Sequence, residues 1–232
     1  MKKIGFIGAY DKTDLIINIA KILTTLKKNV LIIDTTITQK AKYVVPVINP
    51  TISYITEFEG IDISVGFYDF QQLKDYLGMS TDEEFKYDYV LIDIDSVKAI
   101  EAFAINEADK NYFVTAFDLY SLKKGLEILS NLKDTLDLTK VLFSKDIIKE
   151  DDEYLNFLSL DYKIKWQDYR IYFPIENGDL TVLAENQRVA KIKFKKLSTQ
   201  YKDGLASMVE EIASDVNLST IKRAIKIIEK GV

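Results

Sequence analysis

The sequence contains no histidine and no cysteine. Without cysteine there is no disulfide framework, no thiolate metal site and no thiol nucleophile. Without histidine, the zinc motifs and the Ser-His and Cys-His triads are excluded too, so chemistry falls to carboxylates, lysines, hydroxyls and backbone amides. That restriction points towards phosphate chemistry or none. Proline occurs only at Pro46, Pro50 and Pro174, and no Gly/Ser-rich linker, repeat or low-complexity tract divides the 232 residues, so one domain over 1–232 is expected. A surplus of positive charge is missing as well: 31 Lys and Arg stand against 36 Asp and Glu, a net charge of -5. Such a balance argues against a broadly basic nucleic-acid surface and makes DNA a less favoured partner. The apolar stretch between Lys3 and Asp11 is too short for a signal peptide or a membrane span, so a cytoplasmic location is the expectation.

What is present is an alternation of two patterns. Lys3 to Gly8, Asn29 to Asp34, Tyr89 to Ile94, Asn111 to Thr115 and Lys140 to Ser144 are short apolar runs suited to buried strands. Helical spacing lies between them, over Thr13 to Leu26, Phe70 to Leu77, Val97 to Asn106 and Ser121 to Leu132. Strands apolar at nearly every position are covered on both faces, which predicts an α/β, doubly wound, mainly parallel sheet with helices on both sides. Ile52 to Thr56 and Ile61 to Val65 flank Glu59-Gly60 and read as a hairpin that extends the sheet. Beyond Lys145 the reading gives an acidic helix near Glu150 to Leu158, an aromatic segment from Tyr162 to Phe173, and two helices, about Val189 to Ala213 and Leu218 to Lys230.

In a doubly wound sheet ligands bind beyond the carboxyl ends of the strands, which directs attention to the first strand-to-helix turn, Gly8-Ala9-Tyr10-Asp11-Lys12-Thr13-Asp14. A phosphate loop needs small residues whose N–H groups curl around the phosphates, then a Lys for charge and a Ser or Thr for Mg²⁺. Lys12 and Thr13 fit that requirement. Asp11 and Phe6 stand where the two glycines of G-x-x-x-x-G-K-[ST] would be, so the loop alone is no match. Lys12 and Thr13 also suit an ordinary solvated helix start, and strand-end carboxylates such as Asp34 and Asp93 also cap loops.

Neighbouring strings supply the context. Asn29 to Gln39, with its strand-end Asp34, resembles the second strand of the ParA/MinD family of P-loop ATPases with a deviant Walker A loop (the SIMIBI class). Tyr87-Asp88-Tyr89-Val90-Leu91-Ile92-Asp93 is similar to that family's Walker B strand. Asn106 to Thr115, followed by Ser121-Leu122, resembles its next strand and helix start. Order and spacing agree from residue 1 to about 145. The resemblance implies a P-loop NTPase-like fold and a site for ATP or ADP made by Gly8, Asp11, Lys12, Thr13, Asp34 and Asp93. Thr13, Asp34 and Asp93 would face Mg²⁺ if nucleotide binds.

The resemblance fails where hydrolysis needs it most. No Lys lies between Ile4 and Asp11 to cross an ATP-sandwich dimer, and Thr36 stands where the family has the water-positioning Asp. The strand-end Asn that reads adenine would fall near Ser144, and Asp93 is followed by Ile94-Asp95-Ser96 rather than Pro and Gly. Asp95 reads as exposed rather than catalytic. Asp11 would repel phosphate by about 4 kcal/mol at about 4 Å and an effective dielectric near 20.

In the last helix Leu218, Ile221, Ala224, Ile225 and Ile228 form an apolar stripe beside Lys222, Arg223, Lys226 and Lys230. Such a helix suits an anionic membrane, which would make the protein peripheral there, or packing on protein. Tyr162 to Phe173 reads as core first and partner surface second. Three functions compete. The first is a non-hydrolysing or weakly nucleotide-binding scaffold, a homodimer with protein partners in a localisation, pilus, secretion or conjugation machine. The second is a divergent Mg-ATP-dependent ATPase in which Lys12, Thr13, Asp34 and Asp93 suffice for Mg-ATP and slow turnover with no dedicated catalytic residue, and the third a partition protein binding DNA nonspecifically.

Overall fold

The computed structural model describes residues 1–47, 51–145 and 149–231, the side chains of 149–151 excepted; Pro50 and the side chain of Glu150 lie outside the described residues. In chain order the elements are β1 (Lys2–Ile7), α1 (Thr13–Thr25), β2 (Val30–Asp34), α2 (Ala41–Val44), β3 (Tyr54–Phe58), β4 (Ile61–Val65), α3 (Phe70–Tyr76), β5 (Tyr89–Ile94), α4 (Val97–Ala102), β6 (Lys110–Ala116), α5 (Leu119–Ser130), β7 (Leu136–Ser144), α6 (Lys149–Leu158), β8 (Ile164–Pro174), α7 (Asn177–Val189), α8 (Thr199–Ile212) and α9 (Leu218–Lys230). The strands form one sheet in the order β3-β4-β2-β5-β1-β6-β7-β8, parallel throughout except for β3 against β4.

The two faces follow from strand periodicity. Ile4, Phe6, Val30, Ile32 and Leu91 point to one layer, where they meet α1, α7, α8 and α9. Ile7, Leu31, Ile33, Val90 and Ile92 point to the other and meet α3, α4, α5 and α6. Both faces are thus dry, as expected of strands apolar at every position. Side chains cap several helices: Asp69 accepts from Gln72 N, Asp118 from Ser121 N, Ser198 from Tyr201 N and Asn217 from Thr220 N. The cap position of α1 is Lys12, which makes no such bond.

Four local expectations are corrected. The helix expected over Val97 to Asn106 stops at Ala102; Ala104 takes a left-handed φ of 46° and a 3-10 turn, Ile105–Glu107, follows. The helix expected over Val189 to Ala213 is only α8, because α7 ends at Val189 with Ala190 left-handed and Ser198 caps the next start. The aromatic segment is β8, an edge strand, with a register irregularity where Trp166 pairs Leu138 and Arg170 pairs Lys140. Ile171 and Phe173 join the core while Tyr169 stays exposed, so the segment is both core and surface. β7 begins at Leu136 rather than Lys140.

The apolar stripe of α9 is used internally. Ile221, Ala224, Ile225 and Ile228 are all buried, against α1 and α8. Three buried isoleucines represent roughly 5–9 kcal/mol of transfer free energy, which a membrane would have to match before that face came free. Among the described residues no helix is long and apolar enough to cross a membrane.

Candidate functional site: the cavity at the strand ends

Parallel register brings the expected residues together. Asp34 lies opposite Asp93, Ile7 opposite Ile94, and Gly8 N donates to Ile94 O at 3.1 Å, so the loop after β1 and both carboxylates share one end of the sheet. Gly8 has φ +147°, and a Cβ there would stand 2.1 Å from Val114 O, which explains a glycine at the turn. A cavity of about 480 Å³ opens here, lined in part by Gly8, Asp11, Lys12, Thr13, Lys40 and Asp93. A larger one, about 820 Å³, lies between β8 and α8 and shares none of these residues.

Lys12 does not project into the cavity as an idle cation. Its Nζ sits 2.7 Å from Asp93 Oδ1, as an ion pair rather than an aligned hydrogen bond, and donates to Gly8 O at 2.9 Å. Lys12 is only 3% exposed. Burial raises the Asp93 carboxyl to a pKa of about 6; Lys12 opposes the rise and Asp34 adds to it. Thr13 Oγ1 donates to Asp93 Oδ2 at a long 3.5 Å.

Asp11 bonds the loop's own backbone and is bound in turn by a lysine. Its Oδ1 accepts from Thr13 N at 3.2 Å, an N–H of the kind that a phosphate would claim, and Oδ2 is bound by Lys40. Lys40 also reaches Asp14 at 3.4 Å, and Gln187 Nε2 donates to Asp14 Oδ2 at 2.8 Å. The charge of Asp11 is therefore answered within the chain, and its side chain is half exposed, which shrinks the repulsion expected from sequence.

Asp34 and Thr36 are committed as well. Asp34 Oδ1 accepts from Thr36 Oγ1 at 2.6 Å and from Thr36 N at 3.0 Å, while Oδ2 accepts from Ala41 N at 3.0 Å. Thr36 Oγ1 in turn accepts from Gln39 N. This carboxylate shapes the loop after β2, and the hydroxyl of Thr36 is engaged on both sides, donating to Asp34 and accepting from Gln39 N. Among the described residues no group of three carboxylates is close enough to hold a metal. Asp95 is half-buried rather than exposed: Oδ2 accepts from Ile37 N at 3.0 Å and burial raises its pKa.

Lys40 and Gln187 were not expected at the site, and both meet Asp14 at the end of the loop. Lys40 sits in an aperiodic loop and Gln187 on the unforeseen α7, so spacing gave no signal for either.

Solved structures match nearly the whole chain in fold. The MinC:MinD complex from Aquifex aeolicus is 15% identical, with a TM-score of 0.54 over 97% of this chain and 96% of that one. The ATP complex of McdA from Cyanothece is 13% identical, with a TM-score of 0.57 over 92% and 96%. The chain has the ParA/MinD fold. A ParA family ATPase from Chlorobium tepidum, 13% identical, agrees at a TM-score of 0.51 over 97% of both chains. No protein-family model and no curated protein matches the sequence. At such identities the ParA/MinD likeness extends to architecture, and residue roles rest on the geometry above.

Proposed function

We propose that the chain acts as one domain and as a non-hydrolysing or weakly nucleotide-binding scaffold, which positions or assembles a larger machine through protein contacts and self-association independent of ATP. One observation carries this reading: the lysine that would neutralise phosphate is already neutralised, buried against Asp93 and Gly8 O. Nucleotide must break that pair and leave Asp93 buried without its partner, an expensive exchange. Asp11 on Thr13 N and Thr36 locked to Asp34 point the same way, since phosphate donors and water positioning are both committed. A MinD neighbour is complexed with MinC, which supports a protein partner for this chain.

A second reading, a divergent Mg-ATP-dependent ATPase, is favoured by the cavity and by Thr13 standing beside Asp93, and a McdA neighbour binds ATP. Phosphate release from Mg-ATP separates the two. The scaffold reading expects release at the level of buffer alone; steady multiple turnover would establish the ATPase.

A further inference from the structure

Apart from the residues that line the strand-end cavity, α6 carries ions on its inward side and apolar side chains on both sides. Its inward side carries Asp152 and Asn156 beside buried Leu155 and half-buried Leu158, and Ser159 follows in the turn after it. Asp152 is 2% exposed and takes Lys140 Nζ at 2.6 Å on one oxygen and Arg170 on the other. Lys140 also bonds Asn156 and lies 5.0 Å from the centre of the Trp166 ring, whose Nε1 donates to Ser159 Oγ at 3.1 Å. The outward row and the turn after it hold Tyr154, Phe157 and Leu160, exposed by 45%, 67% and 73%. A helix folding only onto its own domain would place its apolar residues inward. Here ions and two leucines pin the helix from inside while three further large apolar side chains face solvent.

We propose that this face of α6 docks an amphipathic helix of a partner protein whose apolar stripe is rimmed by Lys and Arg. Clustered exposed apolar side chains mark interaction sites, and the ion cluster beneath holds these three in a preorganised arrangement. The rim decides the occupant. Glu153 and Asp161 flank the patch and are exposed, and Lys163 is turned away, its Nζ on Lys133 O at 2.6 Å. In a chain of net charge -5, an acidic rim opposes both an anionic bilayer and a symmetric second copy, and attracts a basic helix. The inference does not depend on the reading of the nucleotide-type cavity.

The test uses the full chain and a fluorescent amphipathic peptide of Leu and Lys, roughly five helical turns long, with a twin carrying Glu for Lys. Anisotropy should show saturable binding of the Lys peptide, at least about tenfold weaker for the Glu twin and for Phe157→Glu. Tyr68→Glu, at an exposed aromatic elsewhere, should change nothing. Both variants should melt with wild type, and Leu160→Glu repeats the loss should Phe157→Glu fail to fold. Equal binding by Phe157→Glu, or no binding, overturns the proposal. So does a dimer in ultracentrifugation, or sedimentation with phosphatidylglycerol vesicles, that Phe157→Glu abolishes, since either hands the face to another occupant.

Discussion

Replacing Lys12 with Met should destabilise the protein even with no nucleotide present. The ammonium and the Asp93 carboxylate lie 2.7 Å apart with side chains 3% and 4% exposed. Two unit charges at that distance attract by about 6 kcal/mol at an effective dielectric near 20. Desolvation costs several kcal/mol per ion, so the intact pair contributes little net stability while the loss of one member strands the other, at roughly 3–5 kcal/mol. In a chain of this size each kcal/mol moves the melting temperature by about 2–4 °C, so Lys12→Met should lower it by roughly 6–20 °C. The double variant Lys12→Met/Asp93→Asn should recover more than half of that loss, because no buried charge remains unpaired. Circular dichroism melts of wild type, both single variants and the double variant at pH 7.5 form the cycle. A Lys12→Met melt within about 2 °C of wild type, or strictly additive single effects, would refute the buried lock.

Asp93 also predicts a pH dependence. Its folded pKa, near 6, lies above its value of 3.8 in the unfolded chain, so its stabilising proton is fully held below about pH 4 and lost as pH rises through 6. A shift of about two units corresponds to about 3 kcal/mol, and Asp93→Asn should flatten that slope in urea unfolding between pH 4 and pH 6; an unchanged slope contradicts the assignment. Asp11→Gly should free Thr13 N and Lys40 together and strengthen Mg-ATP binding several-fold, up to about tenfold, or about 1.4 kcal/mol. Turnover should stay at background because Thr36 remains locked to Asp34; tighter binding by wild type than by Asp11→Gly would make Asp11 a ligand. Finally, light scattering should give the same mass with and without Mg-ATP, since no loop lysine is available to bridge two nucleotides. A monomer that dimerises only with ATP would overturn that expectation.

The central strands were legible because burial on both faces leaves an unbroken apolar run: Val30–Asp34 and Tyr89–Ile94 lie where the composition puts them. α9 was legible through its clean stripe. β7 was half hidden by Lys140, a cation that reads as surface but is buried because Asp152 arrives from α6, a contact no local pattern announces. α7 was hidden by a weak apolar period, with buried Val182 and Leu183 set among Asn, Glu, Gln and Arg, and by the αL stop at Ala190, which has no glycine to mark it. At the site, parallel strands ending in Asp34 and Asp93 were enough to bring Gly8, Asp11, Lys12 and Thr13 beside them. What spacing could not convey was pairing. Lys12 reads as a free phosphate ligand, and only the depth of Asp93 makes it a buried counter-ion; Asp11 reads as bare charge until Lys40 closes over it.

The most direct measurement of the central claim is a calorimetric titration of the purified wild-type chain with Mg-ATP at pH 7.5, with phosphate release followed in the same samples. A site whose lysine is held by Asp93, whose helix-start N–H is held by Asp11 and whose Thr36 is held by Asp34 should bind Mg-ATP weakly or not at all and release no phosphate above buffer. Tight, saturable binding accompanied by sustained phosphate release would contradict the account.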